Sequence, residues 1–214
     1  MGIGRLITVE GIDGSGKTTL VAGLVRQLEG RFGIRARALR EPGGVELSER
    51  IRSLLKDPTA TIGGRAEALL YAAARAELIE QAVTPLLHAG EWLILDRYVD
   101  SSLAYQGAAR GLGVADVAAI NAFATGGLQP DRTLLLELDP TVARDRSDGR
   151  GEGRDRIEAE DDSFFTDIAA AYAQLADADP ERIRRLDATI DPDALVEAAL
   201  NEISDLTGPA QSAE

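Results

Sequence analysis

The feature that most constrains this chain is a glycine-rich loop near its N-terminus. Residues 11–18 read G-I-D-G-S-G-K-T and satisfy the pattern G-x-x-x-x-G-K-[ST]. A short apolar run, Leu6–Val9, precedes the loop, and apolar residues at helical spacing follow it over residues 18–28. Glycines let the backbone wrap around a phosphate with its N–H groups pointing inward, and the first turn of the helix adds partial positive charge. The pattern therefore predicts a strand–loop–helix unit that binds the phosphates of a nucleotide.

Two side chains of the loop have specific predicted roles. Lys17 can reach the β- and γ-phosphates of a nucleoside triphosphate, and the Thr18 hydroxyl can bind Mg²⁺. Lys17 is one of only two lysines among 23 basic residues. That a lysine stands at this position favours the phosphate site over the alternative, a merely structural glycine turn. The predicted nucleotide-binding residues of the loop are Gly11, Ile12, Asp13, Gly14, Ser15, Gly16, Lys17 and Thr18.

Short apolar strands alternate with helical patterns along the rest of the chain. The predicted strands are 6–9, 35–40, 92–95, 133–138 and 183–186, and the later helical patterns cover 47–55, 65–87, much of the stretch to 123, 163–175 and 192–206. This alternation predicts an α/β fold with a five-stranded parallel sheet and helices on both faces. Ligands of such sheets bind beyond the carboxyl ends of the strands, where the loop, Pro42 and Asp96 fall.

Composition sets further limits. A length of 214 residues fits one domain, predicted over 1–207, with a small polar tail at 208–214 that we expect to fray. The net charge of −13 argues against nucleic acid or an anionic membrane as a partner. The absence of cysteine excludes a thiol nucleophile, and no apolar run reaches the roughly 18 residues of a membrane span. We expect a cytoplasmic protein.

Several groups of polar residues complete the predicted site. Asp96 ends a strand and suits a carboxylate near Mg²⁺, with a turn or helix-cap role as the alternative. Tyr71 and Arg75 share one helix face at i and i+4, and their alternatives are core packing and a solvated charge. Residues 144–162 hold five arginines, eight acids and three glycines, which predicts a mobile lid rather than an ordinary charged loop.

The ordered motifs resemble those of the bacterial thymidylate kinases. They are V-E-G-I-D-G-S-G-K-T-T, R-E-P-G-G, Y-A-A-A-R, L-D-R-Y-V-D-S-S-L-A-Y-Q-G, D-R-I-E and L-D-A-T, and they extend from about Leu6 to Leu200. The resemblance implies a three-layer P-loop nucleoside-monophosphate-kinase-like fold with a short lid. It also implies transfer of a phosphoryl group from ATP to dTMP with Mg²⁺, in a homodimer.

The resemblance assigns residues to the acceptor pocket. Tyr71 corresponds to the aromatic residue that stacks on thymine, Arg75 to the arginine that bonds the base, and Tyr105 to the tyrosine that favours deoxyribose. Arg97 corresponds to the arginine on the monophosphate, and Asp13 to an acidic residue near the acceptor. The remaining members of the implied acceptor site are Arg40, Pro42, Ser101, Ser102 and Gln106, with Arg52 a weaker candidate.

For the donor side, the resemblance implies contacts from Arg144 and from the backbone around Ala188. Some family members have an arginine after the loop aspartate, where this chain has Gly14. The expected branch supplies its cations from the lid, so Arg150 and Arg154 join Lys17, Asp13 and Arg97 as the implied catalytic residues. Arg146 and Arg156 are candidates for donor contact or lid-internal pairs.

Two rival functions stay open from the sequence. A deoxynucleoside kinase of related fold would act on a hydroxyl and leave Arg97 without a phosphate. A non-enzymatic NTP-dependent switch would leave the polar residues of the acceptor pocket unexplained.

Overall fold

A computed structural model describes residues 4–149 and 155–207 of the chain. Its centre is a parallel sheet of five strands in the order β2-β3-β1-β4-β5. The strands are β1 (Leu6–Glu10), β2 (Ala36–Arg40), β3 (Trp92–Asp96), β4 (Arg132–Glu137) and β5 (Ile183–Asp187). The predicted strands are confirmed, with each end shifted by at most one residue.

Helices connect and cover the strands. The α-helices are α1 (Lys17–Phe32), α2 (Glu46–Lys56), α3 (Gly64–Leu78), α4 (Thr84–His88), α5 (Val99–Ser102), α6 (Val114–Thr125), α7 (Pro140–Asp148), α8 (Asp162–Ala178) and α9 (Pro192–Glu202). Two π-helical segments, Ile79–Val83 and Leu103–Ala109, and a 3₁₀ turn, Ser204–Leu206, complete the set.

The sheet buries apolar side chains on both faces because successive strand residues point in opposite directions. On one face Leu6, Leu93 and Leu95 pack in a cluster with residues of α3 and α4. On the other face Ile7 and Val9 pack in a cluster with residues of α1, α8 and α9. This is the three-layer arrangement expected from the sequence, and it fixes β1 and its following loop at the centre of the molecule.

The predicted helix over 65–87 is interrupted. The α-helix ends at Leu78, a π-helical turn covers Ile79–Val83, and α4 then begins with Pro85 in its first turn. Proline has no N–H and its ring crowds the preceding turn, so an uninterrupted α-helix through Pro85 would be strained. The wider π turn accommodates it.

Helix α7 occupies the first part of the segment predicted as a lid. Asp139 caps it by accepting a hydrogen bond from the Thr141 N–H at 2.8 Å, and Pro140 fills its first position. Residues 144–148 of the predicted lid are therefore helical, and residues 155–161 lie between α7 and α8. Residues 150–154 lie outside the part of the chain that the structure describes.

Among the residues that the structure describes, none of the helices is long and apolar enough to span a membrane.

Candidate active site

The glycine loop joins β1 to α1 at the carboxyl edge of the sheet. Gly14 and Gly16 have φ angles of 86° and 96°, in the left-handed region that favours glycine. The Lys17 side chain folds back over the loop, and its Nζ donates to the Ile12 carbonyl oxygen at 2.8 Å. The side chain is 7% exposed, so the loop holds a shielded cation where nucleotide phosphates are expected.

The ionisation of Lys17 and Asp13 follows from their surroundings. Burial and the nearby Arg97 charge lower the pKa of Lys17 to about 8, although Asp13 and Asp96 act in the opposite direction. Burial acts to raise the pKa of Asp13, but Arg97 and Lys17 together outweigh it and hold that pKa below its usual range. Asp13 is therefore a carboxylate at neutral pH, positioned between two cations.

Thr18 and Asp96 meet where α1 begins and β3 ends. The Thr18 hydroxyl donates to Asp96 Oδ2 at 2.9 Å. A hydroxyl and a carboxylate are oxygen ligands of the kind that Mg²⁺ prefers, and Mg²⁺ commonly takes one or two protein ligands beside substrate phosphates. Within the described residues no group of three or more acidic, histidine or cysteine side chains could hold a metal. The donor set fits a metal that arrives with a nucleotide.

A cleft of about 930 Å³ opens in front of the loop. Lys17, Thr18 and Asp96 line its base, and basic side chains from other elements line its sides. Those basic residues are Arg40, Arg52, Lys56, Arg97 and Arg146. Six carboxylates line the same cleft, namely Asp13, Glu41, Glu49, Asp96, Asp155 and Glu158. Its suitability for a phosphorylated ligand therefore rests on Lys17 and the N–H groups of the glycine loop, not on an excess of positive charge.

Arg97 directly follows β3 in a strained conformation. Its φ of 73° is the only positive φ of a non-glycine residue among the described residues, and such backbone strain often occurs at functional sites. Its Nη2 donates to Asp13 Oδ1 at 2.8 Å and to the Tyr105 hydroxyl at 3.1 Å. Its Nη1 donates to the Ser101 hydroxyl at 3.0 Å. The guanidinium is held between the glycine loop and the second pocket.

Glu10, which the sequence analysis did not single out, supports the turn after Arg97. This fully buried carboxylate accepts from the Tyr98 N–H at 2.7 Å, the Ser101 hydroxyl at 2.5 Å and the Tyr172 hydroxyl at 2.9 Å. Burial and the neighbouring Asp100 raise its pKa. The sequence feature that could have identified Glu10 is its position as an acidic residue at the end of the fully buried strand β1.

A second hollow adjoins the cleft and shares Asp13 and Arg97 with it. The structure brings most of the implied acceptor residues to its walls: Pro42, Tyr71, Arg97, Ser101, Ser102, Tyr105 and Gln106. Burial raises the pKa of Tyr71 to about 12, so its phenol is neutral at physiological pH. Arg40 lies instead on the large cleft, where its side chain pairs with Glu49 at 3.0 Å. Arg52 borders both spaces.

Arg75 is buried behind the hollow, whose walls include its partners Glu41 and Ser102, and its contact with the base stays a prediction. Arg75 is 2% exposed, and its Nε donates to Glu41 Oε2 at 2.6 Å. Its Nη1 donates to the Ser102 hydroxyl at 3.1 Å and to Asn121, and its Nη2 donates to the Tyr98 carbonyl at 2.9 Å. A base could bond Arg75 only if one of these donors changed partner. In this structure Arg75 positions Ser102, which lines the hollow, by donating a hydrogen bond to its hydroxyl.

Helix α7 carries two arginines, Arg144 and Arg146, that differ in position. Arg144 pairs with Asp162 and donates to the Glu160 carbonyl, and it does not line the large cleft. Arg146 lines that cleft, and its Nη1 donates to the Ala188 carbonyl at 3.0 Å. The geometry therefore favours Arg146 over the predicted Arg144 for donor contact. Arg150 and Arg154 lie outside the described residues, so their implied catalytic role stays a prediction.

Gly14 also determines how α7 packs. A Cβ at this position would lie 2.0 Å from the Ala143 carbonyl oxygen of α7. An arginine at position 14 would therefore displace α7, which gives a physical reason for glycine here.

Together, the parallel sheet and the glycine loop at its carboxyl edge define a P-loop protein of the α/β class, with a cleft in front of the loop and an adjoining hollow. Comparison with known proteins narrows that class. The chain matches the family model for thymidylate kinase over residues 9–199. The chain therefore belongs to the thymidylate kinase family.

Curated relatives agree over nearly the full length. A thymidylate kinase of Halorhodospira halophila is 45% identical over 204 residues, which are 95% of each chain. One from Lactobacillus delbrueckii subsp. bulgaricus is 42% identical over 92% of this chain and 94% of its own. One from Deinococcus radiodurans is 44% identical over 91% of this chain and 94% of its own.

Proposed function

We infer that this protein is a thymidylate kinase that transfers the γ-phosphoryl group of ATP to dTMP and so serves dTTP synthesis. The observation that carries this function is the pair of adjoining ligand spaces joined by Arg97 in a chain of the thymidylate kinase family. The reaction forms a bond between an acceptor phosphate oxygen and the γ-phosphorus and breaks the bond to the β–γ bridging oxygen. Its products are dTDP and ADP.

The proposed mechanism relies on alignment and neutralisation of charge. The loop N–H groups and Lys17 hold the donor phosphates, and Arg97 holds the acceptor phosphate, for which its planar fork is suited. An ionised phosphate is already a nucleophile, so no general base is required. Asp13 fixes Arg97 by the 2.8 Å ion pair. Two ligands aligned in this way lose less entropy at the reacting step than free reactants would.

Metal and lid contributions belong to the same proposal. Thr18 and Asp96 would hold Mg²⁺, which when bound offsets negative charge on the donor phosphates. Arg150 and Arg154 would neutralise charge on the transferred group, a role that can contribute about 10³–10⁵ in rate in related enzymes. Gly14 supports this assignment, since it leaves no cation on the loop at that position.

We also propose that the protein is a homodimer that works in the cytoplasm, where ATP and dTMP are available. Support for the dimer comes from two adjacent helices with exposed apolar side chains. Leu69 on α3 is 56% exposed and Phe123 on α6 is 93% exposed. The exposed residues beside them on the same helices include Ala66, Ala73, Ala115, Ala119 and Ala122. Helices α3 and α6 pack against each other, and exposed apolar residues on neighbouring helices commonly mark an interface.

The test is ADP formation with Mg²⁺ and ATP against separate dTMP, dUMP, dCMP, dGMP and thymidine. We expect turnover with dTMP well above turnover with the others. Turnover with thymidine alone would indicate a nucleoside kinase, and slow hydrolysis independent of every acceptor would indicate a switch protein.

A further inference from the structure

We propose that Glu67 is a positioning residue that holds residues 155–160, here called the lid stem, against the wall of the acceptor hollow. One buried carboxylate would then link acceptor binding to the position of the lid stem. The proposal rests on the function proposed above, which defines the hollow as the acceptor site.

Glu67 lies in the first turn of α3 and is completely buried. Tyr71 and Arg75 follow it at i+4 and i+8, so the three side chains share one face of the helix. A buried carboxylate is costly unless it is paired and hydrogen-bonded. The partners of Glu67 therefore indicate why it is tolerated there.

One set of partners comes from the pocket wall. Gln106 Nε2 donates to Glu67 Oε1 at 2.9 Å, and Gln106 lines the acceptor hollow. Arg110 donates to both carboxylate oxygens, from Nε and Nη2, each at 3.3 Å. Both residues belong to the π-helical segment Leu103–Ala109 or directly follow it. Glu67 thus fixes the segment that carries Tyr105 and Gln106 into the hollow.

The other partners come from the lid stem. Arg156 Nη1 lies 2.7 Å from Glu67 Oε2, and Arg156 Nε donates to the Leu55 carbonyl at 3.0 Å. Arg110 also reaches the stem, since its Nη1 lies 2.6 Å from Glu160 Oε1. Two carboxylates and two guanidinium groups therefore form a charge-balanced set between the wall and the stem.

A second ion pair also reaches the stem, between Lys56 and Asp155 at 2.9 Å. The Lys56 side chain is 42% exposed, whereas Glu67 and Arg156 are 1% and 11% exposed. Exposed pairs contribute little, while removal of one partner of a buried pair leaves an uncompensated charge. The Glu67–Arg156 contact is therefore the stronger constraint on the stem.

A double-mutant cycle separates this role from a purely structural one. The variants are Glu67→Gln, Arg156→Met and their combination, with kcat and KM for dTMP measured beside circular dichroism and thermal unfolding. We expect Arg156→Met to lower kcat/KM about tenfold in the wild-type background and less than about twofold in the Glu67→Gln background, because both changes remove the same contact.

Arg132→Met is the matched control. Arg132 begins β4, at the amino ends of the strands and so at the end of the sheet opposite the cleft, and its Nη2 lies 2.6 Å from Asp205 Oδ2. Its side chain is 7% exposed, close to the 11% of Arg156. This variant removes a comparable ion pair, so we expect a lower unfolding temperature, kcat and KM within about twofold of wild type, and an effect independent of Glu67→Gln.

The proposal is overturned if Arg156→Met has the same effect in both backgrounds, or if the variants lower only the unfolding temperature. If Glu67→Gln does not fold, Glu67→Met, which removes the same contact with Arg156 and leaves no polar group on that side chain, replaces it in the cycle with the same expected coupling. Amide hydrogen exchange over 155–160 provides a readout without turnover: faster exchange in Arg156→Met but not in Arg132→Met is expected, and equal exchange contradicts the link. Absent dTMP turnover in the wild type would instead refute the proposed function.

Discussion

At the residue scale, the site depends on charges that compensate one another within a buried space. Arg97 donates to Asp13, and Lys17 lies 3.9 Å from the same carboxylate. These three side chains come from the loop, the start of α1 and the turn after β3, so the fold brings them together. A bound nucleotide would add negative charge beside Lys17 and Arg97, which makes the protonation of Lys17 a measurable quantity.

Nucleotide affinity is predicted to fall as the pH rises above about 8. Burial and Arg97 place the pKa of Lys17 near 8 in the free protein, whereas bound phosphates raise it. Below pH 8 the cation is already present; above pH 8 binding takes up a proton, and the dissociation constant for ADP rises by up to about tenfold per pH unit. Titration calorimetry at about pH 9, in buffers of different ionisation enthalpy, measures that uptake.

Lys17→Arg is the control, because its guanidinium stays charged through this range and should bind ADP without proton uptake. Equal ADP affinity of the wild type at about pH 7.5 and 9.5, with no proton uptake, would contradict the pKa assignment.

At the element scale, the strands were predictable and parts of the helical layer were not. Strands β1, β3 and β4 contain short apolar runs that end at an acidic residue, and this pattern depends only on local sequence. Strands β2 and β5 each carry two arginines, and their positions follow from the helices and turns around them. Helix α7 could have been found from Asp139-Pro140-Thr141, since the same Asp-Pro start, Asp191-Pro192, precedes the predicted α9. The π turn at Ile79–Val83 was not predicted. It accommodates Pro85 one turn later, and the apolar spacing around it is that of a continuous α-helix.

At the site, residues in one contiguous motif could be predicted, whereas contacts between distant parts of the chain could not. The loop residues could be placed because one contiguous motif carries them. The interior position of Arg75 could not, because it depends on Glu41 and Asn121, which come from distant parts of the chain. The same holds for the Glu67 partners Arg110 and Arg156. Each is an ordinary charged residue in the sequence and acquires its role only by burial.

Gly14→Ala is predicted to weaken nucleotide binding by about tenfold or more. The φ of 86° and the 2.0 Å approach to the Ala143 carbonyl leave no room for a Cβ, so the loop or α7 must shift.

Gly30→Ala is the control. Gly30 lies near the end of α1, and a Cβ there would meet no atom within 4 Å, so this variant should stabilise the fold by about 0.5–1 kcal/mol. ADP titration and chemical denaturation measure both variants, and unchanged ADP affinity in Gly14→Ala would refute the packing argument.

At the scale of the whole molecule, the chain combines a net negative charge, a cleft lined by equal numbers of basic and acidic side chains, and exposed apolar residues on α3 and α6. The net charge of −13 keeps the field around the molecule negative. Lys17 and Arg97 provide positive charge inside the cleft, where phosphates are expected to bind. The exposed Leu69 and Phe123 line neither ligand space, so a second copy of the chain is the proposed partner for them.

Phe123→Glu is predicted to convert the dimer to a monomer of about the 22.7 kDa chain mass. The substitution would place a charge in the centre of an apolar interface, where an unpaired charge is strongly unfavourable. Size-exclusion chromatography with light scattering at about 10 µM measures the mass. Ile190→Glu, at a separate apolar residue that is 39% exposed, should stay dimeric. A monomeric wild type would refute the proposed dimer.

The central claim is that the γ-phosphoryl group passes to dTMP and not to water. The most direct measurement is a reaction with γ-labelled ATP, Mg²⁺ and dTMP, followed by separation of the labelled products. The account predicts label in dTDP, one equivalent for each ADP formed, with little labelled inorganic phosphate. Label that appears in inorganic phosphate at the same rate with and without dTMP would contradict it.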